Sequence, residues 1–173
     1  GWPGWPGWPG LHEGLMSTTP PLFVSYYTNP LYEKYAKESL IPSLERFGLE
    51  HEVDAVPTFG SWERDNHFKA PFILQKLDKH AGRNIVWIDA DAEVLAFPEL
   101  LFSIPDEARL AAHYWPHTFS GKPELYAGTL FFQDTGLAGR MVSEWVIANA
   151  LHQELTDQQN LAEVLGRCEL MPP

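Results

Sequence analysis

The chain has 173 residues, 45% of them hydrophobic and 20% charged, and its 12 basic against 23 acidic residues give a formal net charge of -11. This composition fits one globular domain, and the negative charge argues against a nucleic-acid partner or an anionic membrane surface because both would repel it. A single cysteine, Cys168, excludes an intrachain disulfide. The sequence shows neither a signal sequence nor an apolar run of the ~18 residues that a membrane span needs. We therefore expect a cytoplasmic protein with no membrane span.

The first ten residues repeat Gly-Trp-Pro three times and then the repeat stops. Glycine and proline at this density form neither helix nor strand, and so short a repeat buries no core. We therefore predict that residues 1–16 are a low-complexity, disordered leader and that residues 17–173 form the folded domain. An aromatic arm or a proline-rich ligand is the alternative interpretation of the repeat.

The first half of the remaining chain alternates between β-forming and helical patterns. Asn29 followed by Pro30 is typical of a helix start. Pro42 predicts a bend or split in this helix, and Gly48 predicts its end. The predicted elements are a strand over 22–28, a helix over 30–47, a strand over 50–56, a loop over 57–68 and a helix over 70–80.

A continuous apolar run, NIVWID over 84–89, opens the second half. Continuous hydrophobicity predicts a strand covered on both faces, as at the centre of an α/β sheet. Thr156 and Gln159 have the spacing of a capping box, which predicts that a last helix begins there and runs to about Leu165. The other predicted elements are strands over 109–114 and 125–132 and a helix over 136–151. Strands interleaved with helices predict an α/β sandwich with a mostly parallel central sheet.

Two acids, Asp89 and Asp91, follow the predicted central strand, with the small Ala90 between them. Ligands of open α/β sheets bind beyond the carboxyl ends of the strands, and residues two apart on an extended chain point the same way. Two such carboxylates repel each other unless a cation lies between them, and their hard oxygens suit Mg²⁺ or Mn²⁺, which can also take phosphate oxygens. The alternative is that two acids simply end a strand and begin a solvated loop.

Two other protein classes with an Asp-x-Asp sequence fit less well. A calcium loop of the EF-hand type needs glycine at its sixth position, where this chain has Val94. Haloacid-dehalogenase phosphatases use the first Asp as a nucleophile, but they carry Thr or Val where this chain has Glu93, and their motif lies near the start of the domain. A phosphatase of that class is kept as a weaker alternative.

Several short blocks follow one another in a fixed order. They are Trp62, Lys69-Ala-Pro-Phe-Ile-Leu, Asn84-Ile-Val-Trp-Ile-Asp-Ala-Asp-Ala, Tyr126-Ala-Gly-Thr-Leu-Phe-Phe, Trp145 and Asp157-Gln158. In order and spacing, across roughly residues 20–172, they resemble the nucleotide-diphospho-sugar transferases, which are glycosyltransferases of the GT-A type. The resemblance implies a GT-A, Rossmann-like sandwich that binds a nucleotide-diphosphate sugar and, with Mn²⁺ or Mg²⁺, transfers the sugar to a hydroxyl of a glycan, lipid or protein.

The resemblance also implies roles for individual residues at the donor site. Asp91 would be the main metal ligand, and Asp89 would contact both the ion and the ribose or sugar of the donor. Tyr27 and Thr28, at the end of the first strand, would hold the nucleotide base. Lys69 would reach the diphosphate, and its alternative is a solvated lysine at a helix start.

Further residues are implied around the sugar. Gly128 would form the floor under it, where glycine allows close approach, or would be a packing glycine within a strand. Asp157 and Gln158 resemble a pair that faces the sugar or acceptor and are the candidate catalytic residues, although the helix dipole also favours an acid in a first helical turn. His113 and His117 would either reach the ion or fill polar surface positions.

The chain departs from the family at Pro173, where the family continues into a segment that often supplies a histidine for the ion or the diphosphate. A catalytically silent nucleotide-sugar-binding domain, or a fragment, is therefore the alternative to an active transferase. No residue of the sequence stands out as a catalytic base.

Overall fold

The structure, a computed structural model, describes residues 19–105, 108–115 and 124–169. The predicted leader over 1–16 and the candidate His117 lie outside the described residues. The strands are β1 (Leu22–Tyr27), β2 (His51–Ala55), β3 (Ile85–Ile88), β4 (Leu110–Trp115) and β5 (Glu124–Phe132). The helices are α1 (Pro30–Tyr35), α2 (Ile41–Arg46), α3 (Trp62–His67), α4 (Lys69–Lys79), α5 (Glu99–Phe102), α6 (Gly136–Leu151) and α7 (Asp157–Glu169).

The strands form one sheet in the order β2-β1-β3-β5-β4. β1 pairs in parallel with both β2 and β3, whereas β5 runs antiparallel to β3 and to β4. Four strands therefore point in one direction, which confirms the prediction of a mostly parallel sheet. β1 and β3 lie inside the sheet and are buried almost throughout, which explains their continuous apolar sequences, LFVSYY and IVWI.

Helices cover both faces of the sheet. On one face, α4, α6 and α7 pack on a core that includes Val24, Trp87 and Leu130. On the other face, α2 and the segment after β3 pack on a second core that includes Phe23 and Phe131. The molecule is thus the three-layer α/β sandwich that the sequence predicts. In the described part of the chain, no helix is long and apolar enough to cross a bilayer.

The helix predicted over 30–47 is present but is divided ahead of Pro42. The Asn29 side chain caps its start. Between α1 and α2, the segment Ala36–Leu40 winds as a π-helix. Proline cannot donate a backbone hydrogen bond and its ring crowds the preceding turn, so a widened turn at this point relieves the clash. The last helical residue is Arg46, and Gly48 follows two residues later with a φ of 64°, which suits glycine and stops the helix where the sequence predicts.

Two short helices occupy segments for which the sequence predicted none. α3 lies in the predicted loop over 57–68, and the Ser61 hydroxyl caps it by accepting a hydrogen bond from the Arg64 backbone N–H (3.3 Å). Glu63 and Asp65 in its first turn favour helix through the helix dipole. The segment has no apolar stripe, however, and so it lacks the periodicity that identifies longer helices. α5 is a single turn.

The capping box predicted at the start of α7 is confirmed. The Thr156 backbone N–H donates to Gln159 Oε1 (2.9 Å), and the Gln159 backbone N–H donates to Thr156 Oγ1 (3.1 Å). These bonds satisfy backbone groups that the first helical turn leaves without intrahelical partners. α7 then runs to Glu169, past the predicted end at Leu165.

The carboxyl ends of the strands meet at one edge of the sheet. β1, β2 and β3 end there at Tyr27, Ala55 and Ile88, and β4 ends there at Trp115, because all four point the same way. β5 runs in the opposite direction and begins at this edge with Glu124. In open α/β sheets this is the edge where ligands bind.

A cluster of charged side chains joins the edge strand β2 to α4. The Glu52 carboxylate accepts hydrogen bonds from Lys76 (2.5 Å) and Lys79 (3.0 Å), and the Asp54 carboxylate accepts one from Lys76 (2.7 Å). Burial pushes the pKa of Glu52 upward, but hydrogen bonds from Lys76, Lys79 and His80 outweigh burial and lower this pKa from 4.5 to about 2.

We predict that Glu52→Gln lowers the free energy of unfolding at neutral pH, and that the difference from wild type shrinks as the pH falls from 4.5 toward 2. A carboxyl whose pKa is depressed by folding contributes stability above its unfolded pKa and loses it as the pH falls through the folded value. Urea unfolding across that range measures the effect, with Glu144→Gln, an exposed acid on α6, as the control. A difference that did not change with pH would contradict this account.

Candidate functional site

A cavity of about 490 Å³ opens at the carboxyl edge of β1 and β3. Its wall contains Tyr27, Thr28, Asp89 and Asp91, all of which the sequence placed at the donor or the metal. A larger hollow of about 630 Å³ between α3 and α6 contains none of the predicted site residues. The smaller cavity is therefore the candidate functional site.

Asp89 and Asp91 lie in a turn, so the extended conformation predicted for them is wrong. β3 ends at Ile88, and the Ala92 N–H donates to the Asp89 carbonyl (3.0 Å), which closes the turn. The Asp89 N–H still donates to the carbonyl of Gly128 (2.9 Å), so Asp89 is held by β5 as the chain leaves the sheet. Both carboxylates nevertheless reach the same cavity, Asp89 partly buried and Asp91 exposed.

Lys69 begins α4 and is only 5% exposed, so the solvated lysine considered from the sequence is wrong. Its ammonium lies 3.2 Å from Asp89 Oδ1 and 3.1 Å from Asp157 Oδ2, and it donates to the Ala127 carbonyl at 3.3 Å. Burial alone would lower the pKa of Lys69, but the two carboxylates outweigh burial and raise this pKa above its ordinary value. The ammonium is therefore charged and engaged, and its contact with a diphosphate stays a prediction.

Asp157 and Gln158 begin α7 and contact neighbouring elements instead of the cavity. The buried Asp157 pairs with Lys69, and its backbone carbonyl accepts a hydrogen bond from Trp145 Nε1 (2.8 Å). Gln158 Oε1 accepts a hydrogen bond from the Ala127 N–H (3.0 Å). Neither side chain lies on the cavity wall. Their contact with a sugar or acceptor stays a prediction, and the structure shows them linking α7 to β5 and to Lys69.

A bulge in β5 brings Gly128 against Asp89. Between Ala112 and His113 of β4, the pairing with β5 jumps in register and leaves residues 127–129 without partners on β4. A Cβ at Gly128 would lie 3.1 Å from Asp89 Oδ2, which is closer than an ordinary van der Waals contact. Glycine at this position therefore allows β5 to approach the Asp89 carboxylate. The sequence resemblance instead implied that Gly128 lies against a sugar, and that contact stays a prediction.

Asp65 is a site residue that sequence reasoning missed. Its carboxylate accepts hydrogen bonds from Thr28 Oγ1 (2.8 Å), Thr58 Oγ1 (3.0 Å) and the Phe59 N–H (2.6 Å). Its backbone carbonyl accepts one from the Tyr26 hydroxyl (2.5 Å). Asp65 thus joins the end of β1, the loop after β2 and α3 into one cavity wall. The only sequence signal was an acid in the first turn of a helix that was not predicted.

A cluster of packed aromatic side chains contacts Asp89 through Trp87. The indole N–H of the buried Trp87 donates to Asp89 Oδ1 (2.9 Å), and the Trp87 ring packs on Tyr26 and Phe72 with centroid separations of 5.2 and 5.9 Å. Burial, together with neighbouring carboxylates, raises the pKa of the Tyr26 hydroxyl above its ordinary value, so it remains a hydrogen-bond donor. This packing restrains the orientation of the Asp89 carboxylate.

The carboxylates of Asp89 and Asp91 have the donor chemistry for a hard divalent cation. Asp89 Oδ1 is engaged by Lys69 and Trp87, which leaves Oδ2, on the side of Gly128, for an ion. Among the described residues, no group of three or more His, Cys, Asp or Glu side chains is placed to hold a metal. A Mg²⁺ or Mn²⁺ ion here would need phosphate oxygens and water to complete its coordination, which both ions accept.

His113 lies on β4, away from the wall of the cavity. Its ring is exposed and lies 6.3 Å, between centroids, from the rings of Trp115 and Tyr126. Coordination of a metal ion by His113 stays a prediction.

The fold of the chain matches solved structures, although no protein-family model and no curated protein matches the sequence. A glycosyltransferase involved in the glycosylation of the major capsid of PBCV-1 aligns with a TM-score of 0.63 at 15% identity, over 84% of this chain and 76% of that chain. The apo form of the glycosyltransferase GlyE of Streptococcus pneumoniae TIGR4 aligns with a TM-score of 0.55 at 16% identity, over 85% of this chain and 43% of that chain. The chain therefore has the fold of these glycosyltransferases, and the predicted GT-A-like sandwich is confirmed.

Proposed function

We propose that this protein is a glycosyltransferase that moves a sugar from a nucleotide-diphosphate sugar to a hydroxyl acceptor with the assistance of Mn²⁺ or Mg²⁺. One observation carries the proposal. In a fold shared with glycosyltransferases, Asp89 and Asp91 meet Tyr27 and Thr28 in one cavity at the carboxyl edge of the sheet. A glycan, a lipid or a protein with a free hydroxyl fits as acceptor.

The charge of the cavity supports the need for a divalent cation. Its described lining has three acids, Asp65, Asp89 and Asp91, and no Lys, Arg or His. A diphosphate that enters these surroundings is repelled by carboxylates at short range unless a cation compensates for them. Lys69 is not on the wall, and its charge is already shared between Asp89 and Asp157.

Aromatic side chains on the wall suit a nucleotide base. Tyr27 and Tyr32 line the cavity together with Trp62, which is 55% exposed. Aromatic faces stack on planar groups and are favoured in ligand pockets of this kind. Thr28 is oriented by its hydrogen bond to Asp65 and can contact the sugar or base as an acceptor.

In the proposed reaction, the bond between the anomeric carbon and the diphosphate oxygen breaks, and its electron pair leaves with the nucleoside diphosphate. The acceptor oxygen forms the new bond to the anomeric carbon, and its proton passes to solvent water. A bound Mg²⁺ or Mn²⁺ would compensate for the charge on the departing diphosphate. The nucleotide would bind at Tyr27 and Thr28, and Asp89 and Asp91 would hold the ion that the diphosphate contacts.

Asp91→Ala should weaken the binding of nucleotide-diphosphate sugars about tenfold or more in the presence of Mn²⁺, because it removes one of two carboxylates available to an ion. Isothermal titration calorimetry with uridine, guanosine and adenosine diphosphate sugars, with Mn²⁺ and then with EDTA, measures this. Glu93→Ala is the matched control, since this nearby exposed acid pairs with Arg46 (3.3 Å) and lies outside the cavity wall.

Wild-type affinity that persisted unchanged in EDTA would contradict the metal requirement. Slow, metal-dependent release of free nucleotide from the donor would distinguish a transferase from a catalytically silent binding domain. A phosphatase of the haloacid-dehalogenase class would instead release inorganic phosphate and carry a phosphoryl group on Asp89.

Lys69→Met should lower the free energy of unfolding by about 3 kcal/mol or more, because it leaves the carboxylate of Asp157 buried beside Asp89 with no compensating cation. Lys79→Met is the control on the same helix, since its exposed ammonium pairs with Glu52 at the surface and should be worth less than about 1 kcal/mol. Urea unfolding measures both variants. Adding Asp157→Asn to Lys69→Met should recover part of the loss, and equal losses in the Lys69 and Lys79 variants would refute the role of Lys69.

Gly128→Ala should weaken donor binding several-fold while the protein stays folded, because the new Cβ would lie 3.1 Å from Asp89 Oδ2 and displace that carboxylate. Gly139→Ala is the control, since a Cβ there meets no atom within 4 Å. Donor titration together with urea unfolding separates lost affinity from lost stability. Wild-type affinity in the Gly128 variant would show that the position of Asp89 does not govern donor binding.

A further inference from the structure

Two threonine hydroxyls on the wall of the candidate cavity donate their protons to the same carboxylate. Thr28 Oγ1 lies 2.8 Å from Asp65 Oδ2, and Thr58 Oγ1 lies 3.0 Å from the same oxygen. Because an ionised carboxylate can only accept hydrogen bonds, each hydroxyl gives its single proton to Asp65. Toward the cavity, Thr28 and Thr58 therefore act only as hydrogen-bond acceptors. Their contacts with one oxygen also place the two acceptors close together.

Both hydroxyls keep free capacity to accept a hydrogen bond from a ligand. A hydroxyl oxygen has two lone pairs. In Thr58 one of them accepts the Gly60 N–H (3.2 Å). Thr28 accepts no hydrogen bond from the residues that the structure describes. At least one lone pair of each threonine is thus available in the cavity.

A hydrogen-bond donor lies next to these acceptors. Asn29 directly follows Thr28 and also lines the cavity. Its Oδ1 caps α1 by accepting the backbone N–H groups of Leu31 (3.0 Å) and Tyr32 (3.2 Å). The group of the Asn29 side chain that remains for a ligand is therefore its Nδ2 amide, which donates.

The two acceptors lie beside the acids that would hold the ion. Thr28 follows β1 and Thr58 lies in the loop after β2, whereas Asp89 and Asp91 follow β3. β1 lies between β2 and β3 in the sheet, and neighbouring strands are about 4.8 Å apart. A nucleotide that lies along this edge with its diphosphate at the ion would have its base beside Thr28 and Thr58.

Among the common nucleobases, guanine best matches two adjacent acceptors and a donor. Enzymes can read a base by hydrogen bonds to its Watson–Crick edge. On that edge guanine presents two adjacent donors, the N1–H group and the N2 amino group, beside one acceptor, O6. Uracil presents two acceptors around a single N–H, and cytosine and adenine each present a single donor group. A carbonyl of uracil that faced Thr28 or Thr58 would meet a lone pair, whereas Asn29 can donate to O6 of guanine.

We propose that the candidate site selects a guanine nucleotide, so that the sugar donor is a guanosine-diphosphate sugar, and that Asp65 is the positioning residue behind this selection. The proposal rests on the proposed glycosyltransferase function and names its nucleotide. Asp65 acts through Thr28 and Thr58, because it takes their protons and so fixes the direction in which both hydroxyls form hydrogen bonds. The aromatic rings on the wall stack on any base and do not discriminate among them.

Isothermal titration calorimetry of the full chain with Mn²⁺ tests the proposal, with the diphosphates of guanosine, inosine, uridine, cytidine and adenosine as probes. Guanosine diphosphate should bind about tenfold or more tightly than uridine diphosphate, since two hydrogen bonds separate them. Inosine diphosphate, which lacks only the N2 amino group, should bind about three- to tenfold more weakly than guanosine diphosphate.

Thr28→Val keeps the shape of the side chain but removes the acceptor, and it should reduce the preference for guanosine over uridine diphosphate about three- to tenfold. Thr28→Ser, which keeps the hydroxyl, should restore the preference. Asp65→Asn should also reduce it, and by less in the Thr28→Val background, because the two residues act together. Ser103→Ala is the matched control, since this exposed hydroxyl donates to the Leu100 carbonyl outside the cavity wall. Urea unfolding of each variant separates lost selectivity from lost stability.

Metal-dependent binding of all five diphosphates with equal affinity, or tightest binding of uridine diphosphate, would overturn the guanine assignment and leave the proposed function standing. A guanosine preference that Thr28→Val and Asp65→Asn left unchanged would overturn the role of Asp65. Binding of none of the five would overturn this proposal and the proposed function together. Guanosine-selective binding that persisted in EDTA would support the assignment and contradict the metal requirement of the proposed function.

Discussion

The buried ammonium of Lys69 is the charge around which the candidate site is arranged. A lysine withdrawn from water is costly unless anions surround it, and here Asp89 and Asp157 lie within 3.2 and 3.1 Å. Those contacts connect the start of α4 to the end of β3 and to the start of α7, and the bond to the Ala127 carbonyl adds β5. One cation therefore holds four elements at the carboxyl edge of the sheet. Displacing α4 or α7 would leave a buried charge without one of its ionic partners.

The bulge in β5 gives this arrangement its shape. A regular ladder would continue the pairing of β4 with β5 past Ala112, but residues 127–129 bulge out of it instead. The bulge places the Ala127 carbonyl at Lys69 and the Gly128 backbone at Asp89, so one irregularity serves both the structural cation and the carboxylate at the cavity. Gln158 also holds the bulge, by accepting a hydrogen bond from the Ala127 N–H. A strand with perfect register could not provide both contacts.

The sequence predicted those features that have local signals. The buried strand ending at Asp89, the helix start at Asn29 and the α/β class all follow from patterns within a few neighbouring residues. α3 was missed because six residues with a cap at Ser61 and no apolar stripe resemble a loop. The burial of Lys69 could not be predicted because it requires two carboxylates from distant elements to converge on its ammonium. The approach of Gly128 to the Asp89 carboxylate depends on a jump in register between β4 and β5, and no spacing within one strand indicates such a jump.

In the proposed function, the acidic lining of the cavity couples the donor to the ion. The ion would reduce the repulsion that a diphosphate meets, and the diphosphate would supply oxygens that Asp89 and Asp91 cannot provide alone. Linkage then requires that the ion raise donor affinity by the same factor by which the donor raises ion affinity. If Lys69 gave up its contact with Asp157 to replace the ion at a phosphate, Asp157 would be left buried and unpaired, which is costly. Under this proposal, the site would hold a divalent cation weakly until the donor arrived and would then bind the two together.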